Sequence, residues 1–276
     1  MNAFNDQGGV AMERYPLLHD VKGKGEPIVL IPGGLSGWLS WVPFVEPLAK
    51  DLQVVRVQLR SVELAEAGRP YPPDYGTLTE REALRATVDR LGLDRFDLVG
   101  WSYGGHCSLA FTLEYPQRVR TLTVIEPPAV WILRETGHAA EALGQSEAYD
   151  RSVAGKQLTI DDLKAFLVRA GLAKPGDDVE AIPAWPVWVR NRQALSTNGT
   201  IWDYADSLER LRTLEVPVLA VKGTETTEDL AAIVDDLVAT VPHGRVLELP
   251  GGHTCHMENM DRFLAELARH TARVSA

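Results

Sequence analysis

Cysteine is scarce in this chain, and long apolar runs are missing. Only two of the 276 residues are cysteines, Cys107 and Cys255, which argues against a disulfide framework and favours a reducing, cytoplasmic location. No run of about 18 apolar residues occurs, and residues 1–15 contain no apolar signal core. We therefore expect a soluble protein without a membrane-spanning helix or a secretory signal.

Positive charge is also in short supply. The chain has 28 lysines and arginines against 38 aspartates and glutamates, a formal net charge of −10, and no basic run offsets it. Partners that are themselves polyanions are therefore disfavoured, which argues against nucleic acid and against anionic membranes. No repeat or low-complexity tract is visible. A chain of this length buries about three quarters of its unfolded surface, as one large domain or two small ones.

The most informative stretch is 96–115, in which an apolar run meets a helical pattern at a sharp turn. Residues 100–104 read Gly-Trp-Ser-Tyr-Gly, the G-x-S-x-G form of a nucleophile elbow with Ser102 at its tip. Side chains at positions 100 and 104 would crowd this turn. The backbone N–H of Tyr103 begins the helix and is a candidate oxyanion donor. The alternative is a serine in an ordinary strand-to-helix connection.

Short apolar runs and helical patterns alternate along most of the chain. This order predicts an α/β fold with a doubly wound, mostly parallel sheet. Within it, Lys22–Gly25 is interpreted as a hairpin turn and 60–75 as a loop, while Thr77–Glu80 has the form of a capping box that opens a helix. Strands are predicted at 15–21, 27–31, 53–59, 119–125, 216–221 and 246–249, in addition to the short apolar strand that leads from position 96 into the turn at 100–104.

The segment 129–212 lacks a strong strand signal and contains helical and aromatic-rich stretches. We interpret it as a helical cap inserted into a core domain that comprises 1–128 and 213–276. Trp188 is predicted to line a pocket under this cap, because large flat side chains suit an apolar ligand. For the other tryptophans the alternative is the cap's own core. They are Trp131, Trp185 and Trp202.

Two glycine-rich loops follow predicted strands. After 27–31 comes a glycine pair, and the N–H of Gly34 is a candidate second oxyanion donor, with a plain loop as the alternative. After the last strand, His253 follows two glycines and could reach Ser102 as general base. His106 and His256 are interpreted as structural. A metal site at His253, Cys255 and His256 is disfavoured, because three ligands within four residues fit tetrahedral geometry poorly.

Taken in order, the glycine loop, the elbow, the cap insertion and the terminal histidine loop resemble the α/β-hydrolase superfamily over nearly the whole chain. Members usually carry the triad aspartate three residues after the glycine that ends the penultimate strand, and here that position is Thr226. Glu126 ends the strand after the elbow, where a smaller group places its acid. That group includes the lactonases that open zearalenone, and the chain resembles them at Pro32-x-Gly34-Leu35, Ser102, Glu126 and 186–190.

This resemblance implies a serine hydrolase without a cofactor that acts on a small-molecule ester, specifically a lactone of a large apolar or aromatic compound. Ser102 would be the nucleophile, His253 the base and Glu126 the acid, with Leu35 and the cap tryptophans at the substrate. Carboxylesterases, carbon–carbon bond hydrolases and perhydrolases share the fold, as does a hormone receptor that only binds. The oligomeric state stays open, a homodimer being one possibility. The alternative acids are Glu225, Glu228 and Asp229.

Overall fold

The computed structural model of the chain describes residues 15–138 and 140–272. Most of the N-terminal stretch in which we expect no signal sequence therefore lies outside the described residues. Within those two ranges, no helix is long and apolar enough to cross a bilayer. The strands are β1 His19–Lys22, β2 Glu26–Ile31, β3 Leu52–Val57, β4 Phe96–Trp101, β5 Val119–Ile125, β6 Val218–Gly223 and β7 Gly244–Leu249.

These strands form one sheet in the order β1-β3-β2-β4-β5-β6-β7. The edge strand β1 runs antiparallel to β3, and all other pairs are parallel. Every residue of β4 and β5 is buried, because helices cover both faces of the sheet. The doubly wound, mostly parallel α/β fold predicted from the sequence is confirmed.

Helices separate the strands as the alternating pattern predicts. One face of the sheet shares a buried cluster with α3, α4 and α11, and the other shares one with α1 and α13. The helices are α1 Val42–Leu48, α2 Arg60–Glu66, α3 Thr77–Arg90, α4 Tyr103–Glu114, α5 Val130–Thr136, α6 Ala140–Val153, α7 Ile160–Arg169, α8 Trp185–Asn191, α9 Thr200–Asp203, α10 Leu208–Arg212, α11 Glu228–Thr240, α12 Cys255–Glu258 and α13 Met260–Ala272.

The predicted hairpin at Lys22–Gly25 is wrong. The segment does connect β1 to β2, but β3 lies between these two strands in the sheet, so they do not pair with each other. The glycines serve a different purpose, because the turn packs directly on the start of β3. A Cβ at Gly23 would lie 2.3 Å from the Leu52 carbonyl oxygen, and one at Gly25 would lie 2.2 Å from that of Asp51.

The predicted loop at 60–75 is wrong over its first half, where α2 forms. The N-terminus of α2 is capped from a distant part of the chain. The Glu80 carboxylate accepts hydrogen bonds from the backbone N–H groups of Arg60 and Ser61 at 3.0 and 2.9 Å. Glu80 therefore does not complete a capping box with Thr77; instead Gly76 is the N-cap of α3 and donates to Thr79 Oγ1. The residues next to Arg60 in the sequence do not predict such a cap.

The described part of the segment 129–212 contains helices α5 to α10 and no strand. Its division from the core is less sharp than a separate cap would require. Trp131, on α5, lies in the buried cluster that includes one face of the sheet, whereas Trp188, on α8, belongs to a third cluster with Leu163 and Leu167 of α7. The boundaries of the cap domain stay a prediction.

Candidate active site

The candidate site lies where the parallel strands end. The glycine loop follows β2, Ser102 follows β4, Glu126 follows β5 and the histidine loop follows β7. The carboxyl ends of parallel strands face the same edge of a sheet, and ligands bind there when the strand order reverses. In this sheet β3 lies on one side of β2, and the next strand in the chain, β4, lies on the other side of β2. The strand order therefore reverses between β2 and β4, and the site lies at their carboxyl ends.

Ser102 occupies a strained turn between β4 and α4. Its backbone angles, a φ of 53° and a ψ of −125°, fall in a region that residues other than glycine rarely adopt. The neighbouring glycines let the turn close, because a Cβ at Gly100 would lie 2.4 Å from Ser108 Oγ and one at Gly104 would lie 2.3 Å from the Pro32 carbonyl oxygen. The steric role predicted for both glycines therefore has a direct geometric basis.

Gly104→Ala is expected to destabilise the fold by about 3 kcal/mol or more, because the new Cβ meets backbone that cannot move aside. The matched control is Gly144→Ala on α6, where nothing lies within 4 Å of the added Cβ. That change should be neutral or stabilise by about 0.5–1 kcal/mol, since alanine restricts the unfolded chain. Urea unfolding of both variants measures the difference. Equal effects would show that the turn tolerates a side chain.

The structure brings His253 and Glu126 together. The two side chains lie 2.6 Å apart between Nδ1 of His253 and Oε2 of Glu126, and the side chains are 4% and 0% exposed. The second carboxylate oxygen of Glu126 accepts a hydrogen bond from the backbone N–H of Gly223 at 2.7 Å. Gly223 ends β6, at the strand end where the superfamily usually places its acid. Here the same strand end supplies a hydrogen-bond donor to Glu126 instead.

Glu126 also has an unusual backbone. Its φ is 43°, and among the described residues Ser102 and Glu126 are the only ones other than glycine that have a positive φ. Such strain costs about 1–3 kcal/mol at each residue and is concentrated at functional sites. The backbone N–H of Glu126 donates to the Val221 carbonyl at 3.0 Å, which holds the residue in place beside β6.

The alternative acids lie in less suitable places. Glu225 is 56% exposed in its side chain and pairs with Lys174 at 2.7 Å. Glu228 is exposed. Asp229 lines the same cavity as Ser102 and His253, but its Oδ1 accepts a hydrogen bond from the backbone N–H of Leu230 at the start of α11. None of the three has a hydrogen bond to His253 among the described contacts.

Both candidate oxyanion donors lie in the wall of the same cavity as Ser102. A Cβ at Gly34 would lie 3.5 Å from Cβ of Tyr103, so the two backbones are adjacent. Among the described residues, neither N–H has a hydrogen-bond partner, which leaves both available to a ligand oxygen. Gly33 is required for another reason, because a Cβ there would lie 2.9 Å from the indole ring of Trp101.

Trp101 was not singled out in the sequence beyond its place in the elbow. Its indole Nε1 donates to the backbone carbonyl of His253 at 2.9 Å, and the two rings lie 5.6 Å apart. The same indole packs against Gly33. Trp101 therefore connects the glycine loop, the elbow and the histidine loop, which are far apart in the sequence.

A cavity of about 110 Å³ lies over Ser102 and His253. Of the residues predicted to contact substrate, Leu35 lines it, but Trp131, Trp185 and Trp188 do not. Among the tryptophans of the cap segment only Trp202 lines the cavity, and Phe166 of α7 is a second aromatic residue of that segment in the wall. The three displaced tryptophans have other surroundings. Trp131 is buried in the core, Trp188 donates from Nε1 to Ser36 Oγ at 2.9 Å, and Trp185 lies under the Lys164 ammonium.

The histidines interpreted as structural are deeply buried. Burial lowers the pKa of His106 to about 3, and that of His256 likewise to about 3, so both are neutral at physiological pH. His256 lies among aromatic rings that include those of Trp41 and Phe44. Burial raises the pKa of Cys255 to about 12. Among the described residues no group of three or more potential ligands could hold a metal ion.

Known proteins resemble this chain in sequence and in fold. The model of the alpha/beta hydrolase family matches residues 28–266. A 2-hydroxy-6-oxo-2,4-heptadienoate hydrolase of Pseudomonas putida is 33% identical over 155 residues, which are 51% of this chain and 55% of that protein. A carboxylesterase of Bacillus subtilis is 23% identical over 204 residues, 71% of this chain and 62% of that protein. The chain thus spans less than two thirds of either relative.

Among solved structures, an enol-lactonase from Burkholderia xenovorans LB400 superposes with a TM-score of 0.65. The two chains are 19% identical, and the match covers 93% of this chain and 96% of that one. At this identity the likeness shows a shared fold and leaves the substrate open.

Proposed function

Because this chain belongs to the alpha/beta hydrolase family, we propose that it is a serine hydrolase that opens an ester, specifically a lactone, through an acyl-enzyme intermediate. The main support is the arrangement of three side chains. Ser102, in a strained turn, lines one cavity with His253, and His253 is hydrogen-bonded to the buried carboxylate of Glu126 at 2.6 Å. A nucleophile, a base and a group that orients the base are the parts that acyl transfer requires.

In the first half-reaction, Ser102 Oγ attacks the carbonyl carbon while His253 Nε2 takes the hydroxyl proton. Glu126 accepts a hydrogen bond from Nδ1, which fixes the tautomer and stabilises the imidazolium that forms. The backbone N–H groups of Gly34 and Tyr103 bind the oxyanion of the tetrahedral intermediate. His253 then returns its proton to the leaving oxygen, which in a lactone stays attached to the acyl group.

In the second half-reaction, water replaces the alcohol. His253 removes a proton from the water, and the resulting hydroxide attacks the acyl carbon bound to Ser102. The same two N–H groups stabilise the second oxyanion, and the collapse of this intermediate releases a carboxylic acid and restores the Ser102 hydroxyl. The chemistry uses the chain's own groups throughout.

The size of the cavity limits what the closed site can hold. At about 110 Å³ its volume is comparable to that of an apolar cavity of roughly 150 Å³ that binds benzene. The enclosed part of the substrate is therefore about one ring in size. A macrocyclic lactone of the zearalenone type would fit only after the cap segment moves outward, so we propose a lactone with a compact apolar or aromatic group next to the reacting carbonyl.

A carbon–carbon bond hydrolase is the second candidate, because the relative from Pseudomonas putida is named for a substrate without an ester bond. Such a substrate is a carboxylate. The cavity wall holds two carboxylates, Asp150 and Asp229, against one guanidinium, Arg169. This balance opposes an anionic substrate, so the neutral ester is favoured. Incubation with a 2-hydroxy-6-oxo-dienoate would decide between them, since carbon–carbon cleavage gives two fragments.

A fluorophosphonate probe together with a small ester screen tests the proposal. We expect the probe to add to Ser102, as located by peptide mass spectrometry, and we expect turnover of dihydrocoumarin and of aryl acetates at neutral pH. Ser36→Ala is the control, because Ser36 lines the same cavity and should not affect labelling. A protein that binds aryl esters but neither reacts with the probe nor turns them over would be a receptor.

A further inference from the structure

The cap side of the cavity contains an ion pair, with a buried carboxylate and a partly exposed guanidinium, that the hydrolytic mechanism does not use. Arg169 ends α7 and donates from Nη2 to Asp150 Oδ1 of α6 at 2.6 Å. The other carboxylate oxygen accepts a hydrogen bond from Trp202 Nε1 at 2.9 Å. All three side chains line the cavity that contains Ser102 and His253, so a bound substrate would lie beside this pair.

The pair is held rigidly. Asp150 is only 4% exposed, and both of its oxygens are fixed by the contacts just described. The Arg169 guanidinium carbon lies 4.4 Å from the ring centre of Tyr149 and 5.6 Å from that of Phe166. Stacking on aromatic rings is favourable for a guanidinium and restricts its orientation. A ligand would therefore meet a prearranged group rather than a mobile side chain.

The pair also has unused hydrogen-bonding capacity. A guanidinium has five N–H donors, and among the described residues Asp150 is the only hydrogen-bond partner of Arg169. A carboxylate can accept about four hydrogen bonds, and Asp150 accepts two. The Arg169 side chain is 30% exposed. The pair thus presents a donor and an acceptor side by side.

On the premise that this cavity takes the substrate of the proposed hydrolase, we propose that the Asp150–Arg169 pair binds a hydroxyl group of that substrate. A hydroxyl donates one hydrogen bond and accepts others, so it can donate to Asp150 and accept from Arg169 at once. A methyl group in its place would cover the pair and leave the remaining donors of Arg169 and the remaining acceptor positions of Asp150 without a hydrogen bond. The substrate class is then a neutral, hydroxylated lactone or ester, with an alcohol or phenol on its enclosed ring.

A carboxylate would suit this pair less well. It could accept from Arg169, but it would lie beside the Asp150 carboxylate, and Asp229 adds a second negative charge to the same wall. Like charges at close range in a partly desolvated site repel strongly. The geometry therefore distinguishes three ligands of one size: a phenol is bound best, a hydrocarbon less well, and a carboxylate less well than the phenol.

Direct binding tests this without any turnover. Calorimetry with p-cresol, toluene and p-toluate should show p-cresol bound at least about tenfold more tightly than toluene, as expected when a site built for a hydroxyl meets an analogue without one. p-Toluate should bind more weakly than p-cresol. Arg169→Lys keeps the positive charge beside Asp150 but removes the guanidinium donors, and the preference for p-cresol over toluene should fall to within about twofold.

The control variant is Arg192→Lys. Arg192 lies in the same cap segment but donates to the backbone carbonyls of Leu158 and Val189, so the preference for p-cresol should persist. Equal binding of p-cresol and toluene by the unmodified protein, tightest binding of p-toluate, or no binding of any of them would overturn the hydroxyl site. Failure of the hydrolase proposal looks different, because esters would then not be cleaved whatever the binding preference.

Discussion

Replacement of Ser102 by alanine is expected to lower the hydrolysis of esters and lactones by about four orders of magnitude or more, because the covalent route needs the hydroxyl oxygen. The fold should persist. Ser102 is the N-cap of α4 but makes no side-chain hydrogen bond there, so alanine removes no cap contact. Initial rates with an aryl acetate and the thermal unfolding midpoint would be measured on the same preparation.

Two further serine variants sharpen this test. Ser146→Ala changes another serine in the cavity wall and should leave the rate within about threefold, since that hydroxyl has no part in the proposed chemistry. Ser102→Gly should be as inactive as Ser102→Ala but more stable by about 1 kcal/mol, because glycine adopts a φ of 53° without strain. Activity of Ser102→Ala within tenfold of the unmodified enzyme would refute the nucleophile.

Features that depend on local sequence were predicted correctly. The alternation of apolar runs and helical patterns gave the sheet, and the G-x-S-x-G frame marked the strand-to-helix turn at Ser102. Both signals come from residues that are close in the chain, and their geometry is set by sterics within a few positions. Gly100 illustrates this, because the atoms that exclude a Cβ there include backbone atoms of Gly104 and Gly105 in the same turn. The contacts that require glycine at 104 come from Ile31 and Pro32, and these are tertiary.

Features that depend on distant residues were not predictable from local patterns. The helix α2 is capped by Glu80, which lies about twenty positions further along the chain, so the stretch 60–75 resembled a loop. The turn at Lys22–Gly25 resembled a hairpin because nothing in those residues indicates that β3 inserts beside β2. Register and strand order are tertiary properties, and a turn sequence alone does not determine them.

The cap shows the same limit within the candidate site. Trp188 was expected at the ligand because tryptophans often line apolar pockets, but a tryptophan fills a core equally well, and Trp188 lies in one. Asp150 and Arg169 gave no signal, since each is a charged residue on a helix of mixed polarity. Only the folded arrangement, in which Trp202 and Arg169 meet the same carboxylate, distinguishes them from surface charges.

Glu126→Gln is expected to lower kcat by about a thousandfold or more with little change in KM. The glutamine oxygen would keep the hydrogen bond from the Gly223 N–H, which now goes to Oε1. The amide nitrogen would then face His253 Nδ1, where Oε2 is found now. Because an amide nitrogen only donates, Nδ1 must accept, and the proton moves to Nε2. His253 in that tautomer cannot take the proton of Ser102.

The matched controls are the other candidate acids. Glu225→Gln removes an exposed partner of Lys174 and Asp229→Asn removes a charge from the cavity wall, and each should keep kcat within about threefold. Wild-type kcat in Glu126→Gln, combined with its loss in either control, would place the acid after β6 and contradict this assignment. If Glu126 is the acid, the strain at its backbone has a reason, because a φ of 43° lets a residue at the end of β5 bind the β6 terminus and the histidine loop together.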